Sequence, residues 1–220
     1  NLVAGDTNGV WDVFVHDRTT GITRRASVSS LGAQGSGESD FPALSAGGRF
    51  VAFMSLAPEL VPGDTAGRDV FVHDLELSVT ELVSRTPTGQ PGNGESWSPR
   101  LSSDGTHVGF SSSASDLVMG DSNGERDVFV HDRSSHTTER VSVGLSGSEP
   151  DRFSALSSFT SDGRVVAFVS LATNLVPGDT NGTYDVFVRE RCVTSTASAF
   201  TGDGLNADVL APVAARLGAA

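Results

Sequence analysis

The sequence contains no lysine. All fifteen of its basic residues are arginine, against 27 acidic residues, and the formal net charge of the 220-residue chain is -12. An acidic chain without basic clusters is a poor partner for nucleic acid or for an anionic lipid surface. It is compatible with cation binding and with solubility outside the cell. Arginine and alanine in place of lysine are the mark of a GC-rich bacterial genome, a coding bias rather than a mechanism. Cysteine is almost as scarce: Cys192 stands alone, so no disulfide forms within the chain and the redox compartment stays open. It reads as a small apolar residue near a strand start, with a bridge to a missing segment or to another chain as the alternative. No apolar run reaches the roughly 18 residues that a membrane-spanning helix needs. Sustained helical periodicity is also missing, and only the last fifteen or so residues would pass for a short helix. The chain opens at Asn1, which leaves both a removed leader and a start inside a longer protein open.

What is abundant is turns and strands. Glycine numbers 25 and proline 9, with 37% hydrophobic residues, the profile of a turn-rich globular chain. Self-similarity is the dominant signal. "AGDTNGVWDVFV", "PGDTAGRDVFV", "MGDSNGERDVFV" and "PGDTNGTYDVFV" open their loops at Asp6, Asp64, Asp121 and Asp179, a period of 58, 57 and 58 residues. Between loops the same features return: a Ser/Pro segment at Asp40, Ser96 and Arg152, a turn, then "FVAFMS", "HVGFSS" or "VVAFVS". After each loop come "DVFVHD" or "DVFVRE" and then "VTELVS" or "TERVSV". Each unit therefore offers four short strands bounded by Asp-Gly and Asn-Gly turns. Strands such as "VVAFVS" are apolar on both faces, as in sheets packed on both sides. Four antiparallel strands repeated radially make a blade, so the expected fold is an all-β propeller with a repeat of about 58 residues. A β-sandwich is the alternative, but it would not demand so regular a period.

The copies divide residues 1–200 into a partial first blade at 1–30 and full blades at 39–85, 96–143 and 153–200, with 201–220 as a tail or the start of a further segment. The C-terminal "NADVLAPVAARLGAA" does not resemble the missing first strands. Either an arc of a larger propeller or closure by a dissimilar segment would follow. A bare arc predicts missing repeats or partner chains, including a homo-oligomer.

The pattern S-x-P-x-L-S-x-D-G-R-x-V-A-F, then D-V-F-V-x-D and T-x-R-V-S, resembles the TolB-type, WD-like propeller repeat. Ser98 through Phe110, Asp127 to Asp132 and Thr138 to Ser142 carry it. The resemblance implies the fold. Such blades occur in periplasmic translocation proteins, in the gating domains of peptidases and in secreted bacterial proteins.

The loops pose the chemical question. About thirteen residues separate strands two and three, where a hairpin needs about two to five. In a metal site, D-x-N-G-x-x-D would gather oxygens for calcium on one tight turn. The ligand sets would be Asp6, Asn8 and Asp12; Asp121, Asn123 and Asp127; and Asp179, Asn181 and Asp185. The second copy keeps Asp64 and Asp69, has Ala66 for the Asn and is one residue shorter; it is expected to stay empty. In a purely structural loop, Asn-Gly makes the turn, the Asp side chains accept backbone N–H groups, and Leu175 and Val176 anchor the segment.

His16, His73 and His131 share one position, Arg189 replacing them in the last copy. Equivalent positions on different blades point apart, so hydrogen bonds to Asp17, Asp74 and Asp132 are expected rather than a shared metal. Glu38 and Asp40, and Glu149 and Asp151, read as one recurring interblade feature. Trp11 and Trp97 would serve as sugar platforms or, more simply, pack the blades. No G-x-S-x-G elbow or phosphate loop occurs in the sequence. With copies so alike and so little catalytic asymmetry, the expected function is a non-catalytic, extracellular or periplasmic binding or structural module, its loops held either by calcium or by their own turn hydrogen bonds. The partner, protein or glycan, is open. The alternatives are the propeller of a larger peptidase or glycan-active enzyme, and a self-assembling structural protein.

Overall fold

The computed structural model describes residues 2–65 and 67–191, together with the backbone of Ala211–Pro212. Cys192 and most of the expected C-terminal helix fall outside the described residues. Among the described residues every regular element is a strand apart from one 3-10 turn, Pro58–Leu60. The strands are β1 (Phe14–His16), β2 (Thr23–Arg25), β3 (Ser39–Leu44), β4 (Phe50–Ser55), β5 (Asp69–Asp74), β6 (Val79–Leu82), β7 (Ser96–Leu101), β8 (His107–Ser112), β9 (Asp127–Asp132), β10 (Thr137–Arg140), β11 (Ser154–Phe159), β12 (Val165–Ser170), β13 (Asp185–Glu190) and β14 (Ala211–Pro212). No helix among the described residues is long and apolar enough to cross a membrane.

Each sheet is a run of consecutive antiparallel strands: β1-β2, β3-β4-β5-β6, β7-β8-β9-β10 and β11-β12-β13-β14. A sandwich would exchange strands between two sheets; here the sheets follow one another as propeller blades. They form an arc that is not closed among the described residues. The first blade holds only the third and fourth strand positions. In the last blade, Ala211 and Pro212 take the fourth position, beside Val188 and Phe187. That part of the C-terminal segment is extended, not helical. Pro212 lies on an outer strand, where a missing N–H costs no ladder bond.

The blades adhere through three interblade cores. The first blade's Val13 and Ala26 meet Val51, Phe53, Leu60, Phe71 and Leu82 of the second. The other face of that blade, with Ala52, Val70 and Val72, meets Val108, Phe110, Leu117 and Phe129 of the third. Val128, Val130 and Val141 then meet Leu156, Val166, Phe168 and Leu175 of the last. Period-two alternation sends neighbouring residues of one strand into different cores, which is why the middle strands are apolar on both faces. Cross-strand phenylalanines stack within each blade, Phe53 on Phe71, Phe110 on Phe129 and Phe168 on Phe187, with centroids 5.8, 5.8 and 5.6 Å apart. Each such fully buried ring contributes about 1.5–3 kcal/mol.

Polar contacts fix the blade spacing. The first strand of each blade donates from Ser39, Ser96 and Ser154 to the carbonyls of Trp11, Arg68 and Arg126 in the preceding loop, at 2.8, 2.7 and 2.8 Å. Inside each blade the same serine bonds a serine of the second strand, Ser39–Ser55, Ser96–Ser112 and Ser154–Ser170. Arg133 pairs with Glu81 of the blade before it, and Arg191 with Glu139. The Gly-rich linkers are packed, not loose: a Cβ on Gly37 would lie 2.5 Å from the Leu56 backbone.

Candidate functional site: the carboxylate loops

The fourth strand explains the loops. In "TTERVS", Thr138, Arg140 and Ser142 are two apart and share a face. Each meets a partner on β9 or its loop. Thr138 Oγ1 lies 2.9 Å from His131 Nδ1, and Ser142 donates to Asp127 Oδ1 at 2.6 Å. Between them, Arg140 lies opposite Phe129 in the strand register and reaches over it into the loop. The first blade repeats this with Thr23, Arg25 and Ser27, the last donating to Asp12 Oδ1 at 2.6 Å.

The two guanidinium groups stand where the loop carboxylates converge. Arg140 Nη1 is 2.8 Å from Glu149, 3.2 Å from Asp121 and 3.5 Å from Asp127, and Nη2 donates to the Gly120 carbonyl at 3.4 Å. Arg25 lies 3.4 Å from Asp6 and 3.5 Å from Asp12, and donates to Gln34, the counterpart of Glu149. Both arginines are buried, with side chains 7% and 8% exposed. A buried charge persists only when it is paired, and here arginine and carboxylates answer one another.

The asparagines complete the arrangement in all three D-x-N-G-x-x-D loops. Their amides donate to the strand-leading aspartate: Asn8 to Asp12 at 3.1 Å, Asn123 to Asp127 at 3.0 Å, Asn181 to Asp185 at 2.9 Å. Their carbonyls accept from the backbone two residues on, at Val10, Glu125 and Thr183. A calcium ligand would turn that carbonyl toward the ion. In the first and third loops the residues therefore do not fit calcium: arginine fills the place of the cation, and the asparagine carbonyl is engaged in the turn. In the fourth loop no guanidinium reaches Asp179 or Asp185 among the described residues. Among those residues, no three His, Cys, Asp or Glu side chains gather as metal ligands.

The second loop has lost the whole device at once. Leu82 stands opposite Phe71 where Arg25 and Arg140 stand opposite their phenylalanines. Pro91 bridges Arg85 as Gln34 bridges Val28, so it replaces the second acceptor, and Ala66 replaces the asparagine. Asp69 keeps Ser84, which donates to Oδ1 at 2.7 Å, and is 3% exposed. Burial pushes Asp69 up to about 7 and Asp64 up to about 6. Asp121 also rises to about 6, through burial and the charge of Asp127, against the pull of Arg140. Glu149, bonded by Ser122 and Arg140, is held at about 2.

Leu175 and Val176 pack into the interblade core, as do Leu60 and Leu117 at the same place, and so anchor the loops. The histidines differ from expectation. Their partners are Thr23, Thr80 and Thr138 across the strand pair, because His and the following Asp point to opposite faces. Asp17, Asp74 and Asp132 instead cap their turns, accepting the N–H groups of Thr19, Glu76 and Ser134. Burial lowers His73, and it pushes His131 down to about 4. The acidic pairs are not equivalent either: Glu149 serves Arg140, whereas Glu38 precedes Ser39 as Glu95 precedes Ser96, and Glu95 pairs with Arg68. Trp97 is covered by Arg126, 3.7 Å from its ring; Trp11 is exposed. Arg25, Arg140 and the partner serines Ser27, Ser84 and Ser142 were missed as loop partners, although Arg140 and Ser142 stand in the T-x-R-V-S motif itself.

No family model matches the chain, and no curated protein matches it. Solved structures do. The chain is similar to TolB from Acinetobacter baumannii, with 18% identity over 84% of this chain and 36% of that one, at a TM-score of 0.48. Against a putative TolB from Agrobacterium tumefaciens the figures are 16%, 83%, 53% and 0.49. Against the β-propeller domain of the Trilobed protease from Pyrococcus furiosus they are 14%, 70%, 39% and 0.43. The chain thus spans about a third to a half of each of these structures. The likeness is one of fold, that of a TolB-like β-propeller.

Proposed function

We propose that the chain is part of a non-catalytic, extracytoplasmic propeller that acts as a binding or structural module. The supporting observation is that its recurring polar residues are engaged in holding the blades. Histidine bonds threonine and the strand aspartate bonds serine at matching positions in the first three blades, and the loop carboxylates bond arginine in the first and the third. A catalytic centre needs an asymmetric set of acid, base and nucleophile within reach of one substrate. Substitutions at His73, His131 or Asp127 are therefore expected to lower the melting temperature and leave any partner affinity of the folded protein unchanged. Hydrolysis of peptide or glycan substrates, abolished by one of these changes in a variant that still melts normally, would overturn the proposal. Fractionation of the full-length protein tests its place outside the cytoplasm.

Calcium belongs in this proposal to the fourth loop alone, through Asp179 and Asp185, with the Asn181 carbonyl released from the Thr183 N–H to join them, at the weak affinity of extracellular modules. Titration with calcium is expected to give one weak event that Asp185→Asn removes. An event that survives Asp185→Asn and is lost in Asp121→Asn would contradict this assignment.

A further inference from the structure

The second loop holds a pocket of ≈ 200 Å³ where the first and third loops hold arginine. The match is position by position. Arg140 touches Gly120, Asp121 and Glu149; their counterparts Gly63, Asp64 and Pro91 line the pocket, and so does Leu82, the counterpart of Arg140 itself. Two copies of the loop thus show what its carboxylates bind, and the second loop keeps the first of those carboxylates, Asp64, with a leucine where the arginine stands. Asp69, the counterpart of Asp127, lies behind the pocket and outside its lining. It is almost wholly buried, and only Oδ1 has a hydrogen-bond partner among the described residues. The matching Oδ2 of Asp127 faces Asn123 and Arg140.

We infer that this pocket is a binding site for a guanidinium group brought by a ligand, the arginine side chain of a partner peptide or free arginine, with Asp64 as its counter-charge. Leu82, Val61 and Pro91 supply apolar wall for the aliphatic stem. Of the other charged side chains in the lining, Glu81 pairs with Arg133 of the next blade, and Arg85 directs its Nη2 to His136 Nδ1 of that next blade, at 2.5 Å. Among the described residues the Asp64 carboxylate accepts only the Thr65 N–H, at 2.8 Å, and has no ion pair. The planar, weakly hydrated guanidinium on an aliphatic stem suits a carboxylate beside an apolar wall, and the loop has Ala66 where the D-x-N-G-x-x-D loops offer an asparagine oxygen to calcium. The site overturns the expectation that the second loop is the idle copy. It stands whether or not the propeller belongs to an enzyme.

Calorimetric titration of the intact chain with free L-arginine, with a short arginine peptide blocked at both ends, and with L-citrulline as the neutral isostere tests it. Arginine in either form should bind, citrulline at least tenfold more weakly. Binding by the blocked peptide alone identifies a protein partner; equal binding by the free amino acid identifies a small-molecule ligand. Asp64→Asn should weaken binding at least tenfold with its melting temperature kept, and Leu82→Arg should abolish binding by filling the pocket from within. Should Leu82→Arg fail to fold, Asp64→Asn still decides. Equal binding of citrulline and arginine, no binding of either arginine form, or undiminished affinity in Asp64→Asn would each overturn the site.

Discussion

The third loop and the second loop descend from one repeat and solve the same electrostatic problem in opposite ways. The third gathers Asp121 and Asp127 around a buried Arg140, with Asn123 and Glu149 closing the ring of hydrogen bonds. The second has exchanged arginine, asparagine and glutamate for Leu82, Ala66 and Pro91, and leaves Asp64 and Asp69 without an internal cation. The three changes belong together. Each member of the network is costly alone, because a buried charge without its partner bears the full desolvation penalty. The strand aspartate survives in both loops because its serine bond supports the backbone: Ser84 and Ser142 also accept the N–H of Val70 and Val128, each at 2.9 Å.

Breaking the third loop should have the largest effect. Arg140→Met leaves three acidic groups around an uncharged stem, and a loss of about 3–5 kcal/mol is expected from removing one partner of a buried ion network. In a chain of this size that lowers the melting temperature by roughly 10 °C. Leu82→Met, the matching change in the second loop, should cost under about 1.5 kcal/mol. Equal losses at the two positions would dissolve the contrast between the loops.

The pH dependence sharpens the contrast from the other side. Asp69 is pushed up from 3.8 to about 7, so the folded state holds its proton more tightly than the unfolded chain. Its contribution to stability is complete below the unfolded value and is lost as the pH rises through about 7. Asp69→Asn should therefore stabilise the protein at pH 8, by on the order of 2 kcal/mol, and change little near pH 4, since the amide oxygen still accepts from Ser84. Thermal melts across that range check it; stabilisation confined to acid pH would reverse the assignment. The histidines run the opposite way. His131 is pushed down to about 4, so its contribution is present above about pH 6.5 and is lost as the pH falls toward 4. Thr138→Val, which removes its partner, should cost about 1 kcal/mol at neutral pH, checked by denaturant unfolding. The smallest effect should be that of EDTA, a shift of about 1 °C or less, because only the exposed fourth loop is assigned calcium and its affinity is weak.

The blades were legible because propeller packing writes itself into sequence twice, as a period of about 58 residues and as strands apolar on both faces. The loop anchor at Leu175 and Val176 was legible as well, whereas Leu60 and Leu117 at the same place emerge only from the packing. The carboxylate partners were harder to see. A motif such as D-x-N-G-x-x-D displays its own oxygens, whereas the cation that answers them lies on the next strand, some 19 residues on from Asp121 at Arg140. Only the strand register, Phe129 opposite Arg140, brings the two together. The histidine partners were misjudged by sequence proximity: Asp132 adjoins His131 in the chain but points away from it, and Thr138 lies opposite.

The central claim is that arginine serves as the built-in cation of these loops. A double-mutant cycle between Arg140→Met and Asp127→Asn, read by denaturant unfolding at pH 7.5, tests it most directly. A real ion network predicts strong coupling: the double variant should be about 1–3 kcal/mol more stable than the sum of the single losses allows. Additive losses, with stability restored instead by calcium, would contradict it.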